Sequence, residues 1–127
     1  HCDVLSLHLR LSESTRNLID QADLARMKPT ALLVNTARAE LIDTNTLIGA
    51  LNRGRPGMAA VDVFDTEPVL QGHALLRLEN CICTPHIGYV EQNNYETLFG
   101  AAFDNVVNFI KGTPTNIVNP GALQVRR

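Results

Sequence analysis

Residues 32–43, Leu-Leu-Val-Asn-Thr-Ala-Arg-Ala-Glu-Leu-Ile-Asp, open as an apolar strand and close on a helix cap, with one arginine, Arg38, in the short turn between. The segment Ala31–Asn35 (ALLVN) is almost continuously apolar and does not alternate. That pattern predicts a strand covered on both faces, as in a parallel sheet. Met58–Phe64 (MAAVDVF) repeats it, and Asp3–Leu9 (DVLSLHL) and Cys81–Thr84 (CICT) add two further strands. Helical segments lie between them. Asp20 can cap QADLARM, which Pro29 closes, and Asp43 can cap TNTLIGALNR, which stops at Gly54. A shorter piece, HALLRL, precedes the last strand. Strand and helix alternating in this way give right-handed crossovers and a layered α/β fold.

Beyond the last strand, the spacing predicts a long helix from about Val90 to Lys111. Tyr95, Leu98, Phe99, Ala102, Phe103, Val106, Val107 and Ile110 share one face of it. Gly112 and Pro114 end it, and an irregular tail follows.

The totals exclude several classes. A chain of 127 residues, 45% hydrophobic, can bury a core and is not a disordered tail. Its net charge is −2 with scattered basic residues, so neither a nucleic-acid stripe nor a membrane-binding basic helix is expected. No apolar run reaches the length of a membrane span, and the first residues lack a signal-peptide layout. Three cysteines make no disulfide framework. Cys81 and Cys83 are expected on opposite faces of their strand, reduced and buried, which suits a cytoplasmic protein.

In open parallel sheets, ligands bind beyond the carboxyl ends of the strands. Arg38 follows ALLVN, Asp62 lies near the end of MAAVDVF with Glu67 just after it, and His86 and Gly88 follow CICT. Taken singly, each has an ordinary structural reading. Arg38 could be a solvated turn charge and Asp62 a cap for a neighbouring segment. Glu67 could be a loop acid beside Pro68, and His86 a satisfied core histidine. All four gathered on one sheet edge favour a site. A histidine beside a carboxylate can shuttle a proton near neutral pH, and an arginine can grip a substrate carboxylate with two parallel hydrogen bonds. Together they suit a 2-hydroxy or 2-oxo acid. No serine or cysteine stands beside the histidine at a strand end, and the acids, His86 and His73 lack metal-ligand spacing.

The motifs LLVNTARAELID, AAVDVFDTEP and TPHIGYV, in this order, resemble the D-isomer-specific 2-hydroxyacid dehydrogenases, most closely D-3-phosphoglycerate-dehydrogenase-like members. The likeness runs from Cys2 to about Pro120. It implies an NAD-dependent oxidoreductase, with NADP as the alternative cofactor. Its fold would be the second half of a Rossmann-like parallel sheet flanked by helices, ending in a long amphipathic helix. By motif position it implies Arg38, Glu67 and His86 as the catalytic set, and cofactor contacts from Leu9, Thr36, Ala37, Arg38, Asp62, His86 and Gly88. It implies no metal, a small 2-hydroxy or 2-oxo acid as substrate, and a homodimer with neither nucleic acid nor membrane as partner. Residues 1–112 would be the C-terminal part of the NAD-binding domain and 113–127 a tail belonging to the substrate domain.

Three departures stand out. Ala39 replaces the family's glycine after the arginine, which strains the backbone if that position needs positive φ. Arg10 replaces a proline in LHLRL. No G-x-G-x-x-G turn occurs in the chain, so that element and the substrate domain are expected before His1 of a longer enzyme. The alternatives are a non-catalytic NAD(H)-sensing module of the same fold and an interaction domain with a decayed site.

Overall fold

The computed structural model describes residues 2–124, which fall into two compact units, His1–Gly88 and Tyr89–Arg127. The first is a parallel sheet with helices packed on it. Its strands are β1 (Val4–Leu7), β2 (Leu32–Asn35), β3 (Met58–Val61) and β4 (Cys81–Cys83), each paired parallel with the next in the order β1-β2-β3-β4. The register aligns Leu7 with Asn35, Asn35 with Val61 and Val61 with Cys83. All four strands therefore end level, and whatever follows them must share one edge.

Helix α1 (Gln21–Ala25) starts on a capping box: Asp20 Oδ1 accepts from the Asp23 amide at 2.9 Å, and Asp23 returns a carboxylate to the Asp20 amide. Helix α2 (Thr44–Asn52) starts on Asp43, whose Oδ1 accepts from the Thr46 amide at 2.8 Å. Each such cap stabilises by about 1 kcal/mol. Gly54, at φ 72°, takes the left-handed turn that ends this helix region. The HALLRL segment forms a 3₁₀ turn, Ala74–Arg77.

The core joins Leu7, Leu33, Ala59 and Val61 of the sheet to Leu24 of α1, Leu47 and Leu51 of α2, and Leu41 and Leu75 of the 3₁₀ turns. Cover is unequal on the two faces of the sheet. Leu33 and Ala59 are fully buried, whereas Leu32, Val34 and Ala60 are half-buried and Met58 is 46% exposed. The run of apolar residues predicted equal cover, but α1, α2 and the 3₁₀ turns of this unit all pack on one side. Gly57, between α2 and β3, lies against Pro29, where a Cβ would stand 1.8 Å from the carbonyl oxygen. Only glycine fits there.

Two further expectations are corrected. Cys81 and Cys83 do not point to opposite faces; their sulfurs are 3.8 Å apart, because residues i and i+2 of a strand share a face. Burial, then the neighbouring Cys83, pushes the Cys81 thiol up to about 12, so it stays protonated. Ala39 is not among the described non-glycine residues at positive φ; it opens a 3₁₀ turn, Ala39–Leu41, and carries no left-handed strain.

The second unit holds α3 (Gln92–Ile110), capped by the Glu91 carboxylate on the Asn94 amide at 3.0 Å and ended at Gly112, φ 76°. Asn105 Oδ1 accepts from Thr115 Oγ1 and from Asn116 Nδ2, tying the following chain to the helix. The tail expected to be irregular contains a 3₁₀ turn, Pro120–Gln124, and its residues 125–127 lie outside those described.

Candidate active site

Because the strands end level, the segments after them meet. Asn35, 3% exposed at the end of β2, shapes the first. Its Oδ1 accepts from the Ala37 amide at 3.1 Å and its Nδ2 donates to the Arg38 carbonyl at 2.9 Å. This side chain folds the Thr36–Arg38 turn from within and leaves Arg38 exposed. The Arg38 Nη1 donates to the Ala37 carbonyl. A cavity of about 500 Å³ opens here, lined by Leu9, Arg10, Thr36, Ala37 and Arg38 among others. Four of the sequence-predicted residues thus share one cavity with Arg10, the departure in LHLRL.

After β3, Asp62 is 3% exposed, yet both oxygens of its carboxylate accept hydrogen bonds. Oδ1 accepts from Thr84 Oγ1 at 2.5 Å and from the Ile87 amide at 2.9 Å, and Oδ2 accepts from the Gly88 amide at 2.7 Å. Burial pushes this carboxyl up, but the bonds from Thr84, Ile87 and Gly88 outweigh it and hold it below the ordinary aspartate range. Asp62 therefore clamps the turn after β4. That turn needs a clamp, since His86 sits at φ 55°, a left-handed conformation that costs a non-glycine residue about 1–2 kcal/mol. Gly88 packs into the same corner: a Cβ there would stand 3.0 Å from Asp62 Oδ2 and 3.6 Å from the Thr36 Cβ.

The turn aims His86 at Glu67. Nδ1 of His86 lies 2.7 Å from Glu67 Oε2, while Glu67 Oε1 accepts from the Phe64 amide at 3.0 Å. The hydrogen bond from His86, then that from Phe64, holds the Glu67 carboxyl below its ordinary range. An ionised carboxylate only accepts, so Nδ1 carries the proton in this contact. Phe64, Glu67, Pro68, Val69, Pro85 and His86 line a second cavity of about 570 Å³.

Glu67 and His86 are thus in direct contact, Asp62 and Gly88 hold the histidine turn, and Thr36 adjoins Gly88. Arg38, with Leu9 and Ala37, borders the neighbouring cavity two strands away. Asn35 and Thr84 were missed in the sequence. A polar residue closing an apolar strand was the available signal in both cases. Among the described residues, no group of three or more His, Cys, Asp or Glu could hold a metal ion, and no helix is long and apolar enough to cross a membrane.

A parallel sheet with polar side chains converging at its carboxyl ends defines an α/β nucleotide-binding domain. The chain belongs to the D-isomer specific 2-hydroxyacid dehydrogenases, whose NAD-binding-domain model matches residues 1–88. It is 39% identical over 126 residues to a glyoxylate reductase of Aeropyrum pernix, covering 98% of this chain and 38% of that one. A Ralstonia solanacearum structure, provisionally assigned as a D-3-phosphoglycerate dehydrogenase oxidoreductase, superposes with TM-score 0.89 at 64% identity, covering 95% of this chain and 35% of that one. The NAD-complexed D-isomer specific 2-hydroxyacid dehydrogenase from Lactobacillus delbrueckii ssp. bulgaricus superposes with TM-score 0.74 at 32% identity, covering 92% and 40%. The chain therefore spans well under half the length of these relatives.

Proposed function

We propose that this chain carries the acid/base and carboxylate-binding side of an NAD-dependent D-2-hydroxyacid dehydrogenase, interconverting a 2-oxo acid and its D-2-hydroxy acid. One observation carries the reading: the 2.7 Å His86–Glu67 pair, held at the carboxyl edge of the sheet by a turn clamped to a buried aspartate. The carbonyl of a 2-oxo acid lies next to its carboxylate. Arg38 grips that carboxylate with its guanidinium fork and polarises the adjacent carbonyl. His86, protonated at both nitrogens, gives its Nε2 proton to the carbonyl oxygen as the carbon is reduced, and is left neutral with Nδ1–H on Glu67. Glu67 keeps that tautomer and offsets the imidazolium charge. In the reverse direction Nε2 takes the hydroxyl proton.

The bound nicotinamide cofactor supplies or accepts the hydride. The residues present fit its amide at one point: Asp62 Oδ2 accepts a single hydrogen bond, from Gly88, and has capacity for a second. Leu9, Thr36 and Ala37 line the cavity beside it and form the rest of the contact, with NADPH as the alternative to NADH. Residues 1–112 would belong to the NAD-binding domain and 113–127 to the substrate domain. Reduced cysteines fit the cytoplasm, and a homodimer is the assembly proposed.

The test uses the intact enzyme. His86→Ala should lower kcat by about 10²–10⁴-fold, the range for a lost general acid, with little change in cofactor affinity. Arg38→Lys should chiefly raise KM for the 2-oxo acid, since lysine cannot reproduce a two-pronged grip. Glu67→Gln removes the carboxylate charge 2.7 Å from the ring and should move the pH optimum for reduction. Near-normal turnover by His86→Ala would refute the assignment. An NAD(H)-sensing protein would instead bind the dinucleotide and turn over none of a panel of 2-oxo acids.

A further inference from the structure

Glu67 sits on a loop, Phe64 to His73, with no regular structure to hold it. Two contacts orient its carboxylate, the His86 ring and the Phe64 amide. The second is only as firm as Phe64 itself. The far end of the same loop returns to it. His73 meets Phe64 edge to face, with ring centroids 5.4 Å apart and planes at 80°. Its Nε2 lies 3.2 Å from Asp65 Oδ1, and its Nδ1 accepts from the Leu75 amide at 3.3 Å, capping the 3₁₀ turn Ala74–Arg77. Asp65 Oδ1 also accepts from the Thr66 amide, one residue short of Glu67.

These contacts define the state of the ring. An amide can only donate, so Nδ1 is unprotonated, and the one proton of the neutral ring lies on Nε2, directed at Asp65. The imidazole side chain is 16% exposed and touches both ends of the loop, whereas Asp65 is half exposed. Proton exchange with a ligand is not open to it, because both nitrogens are engaged. What it does is mechanical: it pins residues 64 and 65 to residue 75 and closes the loop beneath Glu67.

We propose that His73 is a positioning residue for the Glu67–His86 pair, acting through Phe64 and Asp65 to hold the loop at the setting where Glu67 meets the imidazole. The inference rests on the reading of Glu67 and His86 as the acid/base pair and adds a residue that touches neither. The loop gains from this anchor because its own segment is short of partners. Asp65 and Thr66 are exposed, and Leu70 is 74% exposed. Phe64 is also held by the core. Freed from His73, Asp65 and Thr66 could shift, and the 2.7 Å contact between Glu67 and His86 would be sampled for only part of the time.

The test is a double-mutant cycle in the intact enzyme. His73→Asn keeps an acceptor for the Leu75 amide but removes the ring and the donor to Asp65. It should lower kcat for 2-oxo acid reduction about tenfold, leave KM for NADH within about twofold, and move the pH optimum in the same direction as Glu67→Gln. In a Glu67→Gln background the same change should cost less than about twofold in kcat, since the contact it protects is already altered. Asp65→Ala cuts the bond from its exposed end and should repeat the signature, which keeps the test open if His73→Asn fails to fold. Additive losses in the two backgrounds, or an unmoved pH optimum, overturn the proposal. If Glu67→Gln and His86→Ala themselves leave turnover intact, the catalytic reading fails. If those two act as expected while His73→Asn and Asp65→Ala keep full kcat, only the role of His73 fails.

Discussion

Asp62→Asn tests the clamp on the histidine turn. The buried carboxylate receives three hydrogen bonds, two at Oδ1 from Thr84 and Ile87 and one at Oδ2 from Gly88. Asparagine has one acceptor oxygen. Placed where Oδ1 stood, it keeps the Thr84 and Ile87 bonds in weaker, neutral form and sets its NH₂ against the Gly88 amide, donor against donor. A hydrogen bond to a charged group contributes about 1.5–3 kcal/mol and a neutral one roughly half of that. Losing one outright and halving two gives an expected loss of about 3–6 kcal/mol, with little screening at a site 3% exposed. Urea unfolding of the intact enzyme near neutral pH measures it. The pH dependence is a second handle. Because the folded carboxyl lies below its ordinary range, its stabilisation is present in full above the unfolded aspartate value and is lost as pH falls through the folded value. Asparagine has no such dependence, so the gap between wild type and variant should narrow on acidification below the ordinary aspartate range. A neutral-pH difference under about 0.5 kcal/mol, or a gap that does not narrow in acid, would refute the clamp.

Ala39→Gly, which would relieve strain if the position were left-handed, should instead destabilise by about 0.5–1 kcal/mol and give no gain in kcat, because Ala39 sits in a 3₁₀ turn without positive φ. Thermal unfolding and a turnover assay check both halves. Gly57→Ala should cost about 1–3 kcal/mol, since the added methyl meets the Pro29 carbonyl at 1.8 Å and the backbone must shift. An unchanged melting temperature would show that the Pro29 turn yields freely.

Much of the architecture is legible in the one-dimensional string because its causes are local. Apolar runs, the Asp20 and Asp43 caps and Gly54 mark strands and helices by side-chain chemistry acting within four residues. Such a signal needs no knowledge of the rest of the chain. Placing Arg38, Asp62, Glu67 and His86 at strand ends is likewise local, and the sheet rule turns that placement into a candidate site. What the string does not contain is which groups meet. The pairing of Glu67 with His86 spans 19 residues, and the Asp62 clamp spans up to 26. Both depend on β3 and β4 lying side by side in level register. Asp62 could be read as buried and in need of partners. Only the fold decided that the partners are Thr84 and two amides of the histidine turn. The left-handed setting of His86 was hidden for the same reason, since a non-glycine residue adopts it only where surrounding contacts outweigh its cost. Ala39 shows the converse: family pattern suggested strain, and the local 3₁₀ turn carries none. Sequence thus determined which residues stand at the edge of the sheet, through short-range propensity and burial. Tertiary structure decided how they engage, because hydrogen bonds at 2.5–2.9 Å are set by strand register and not by spacing along the chain.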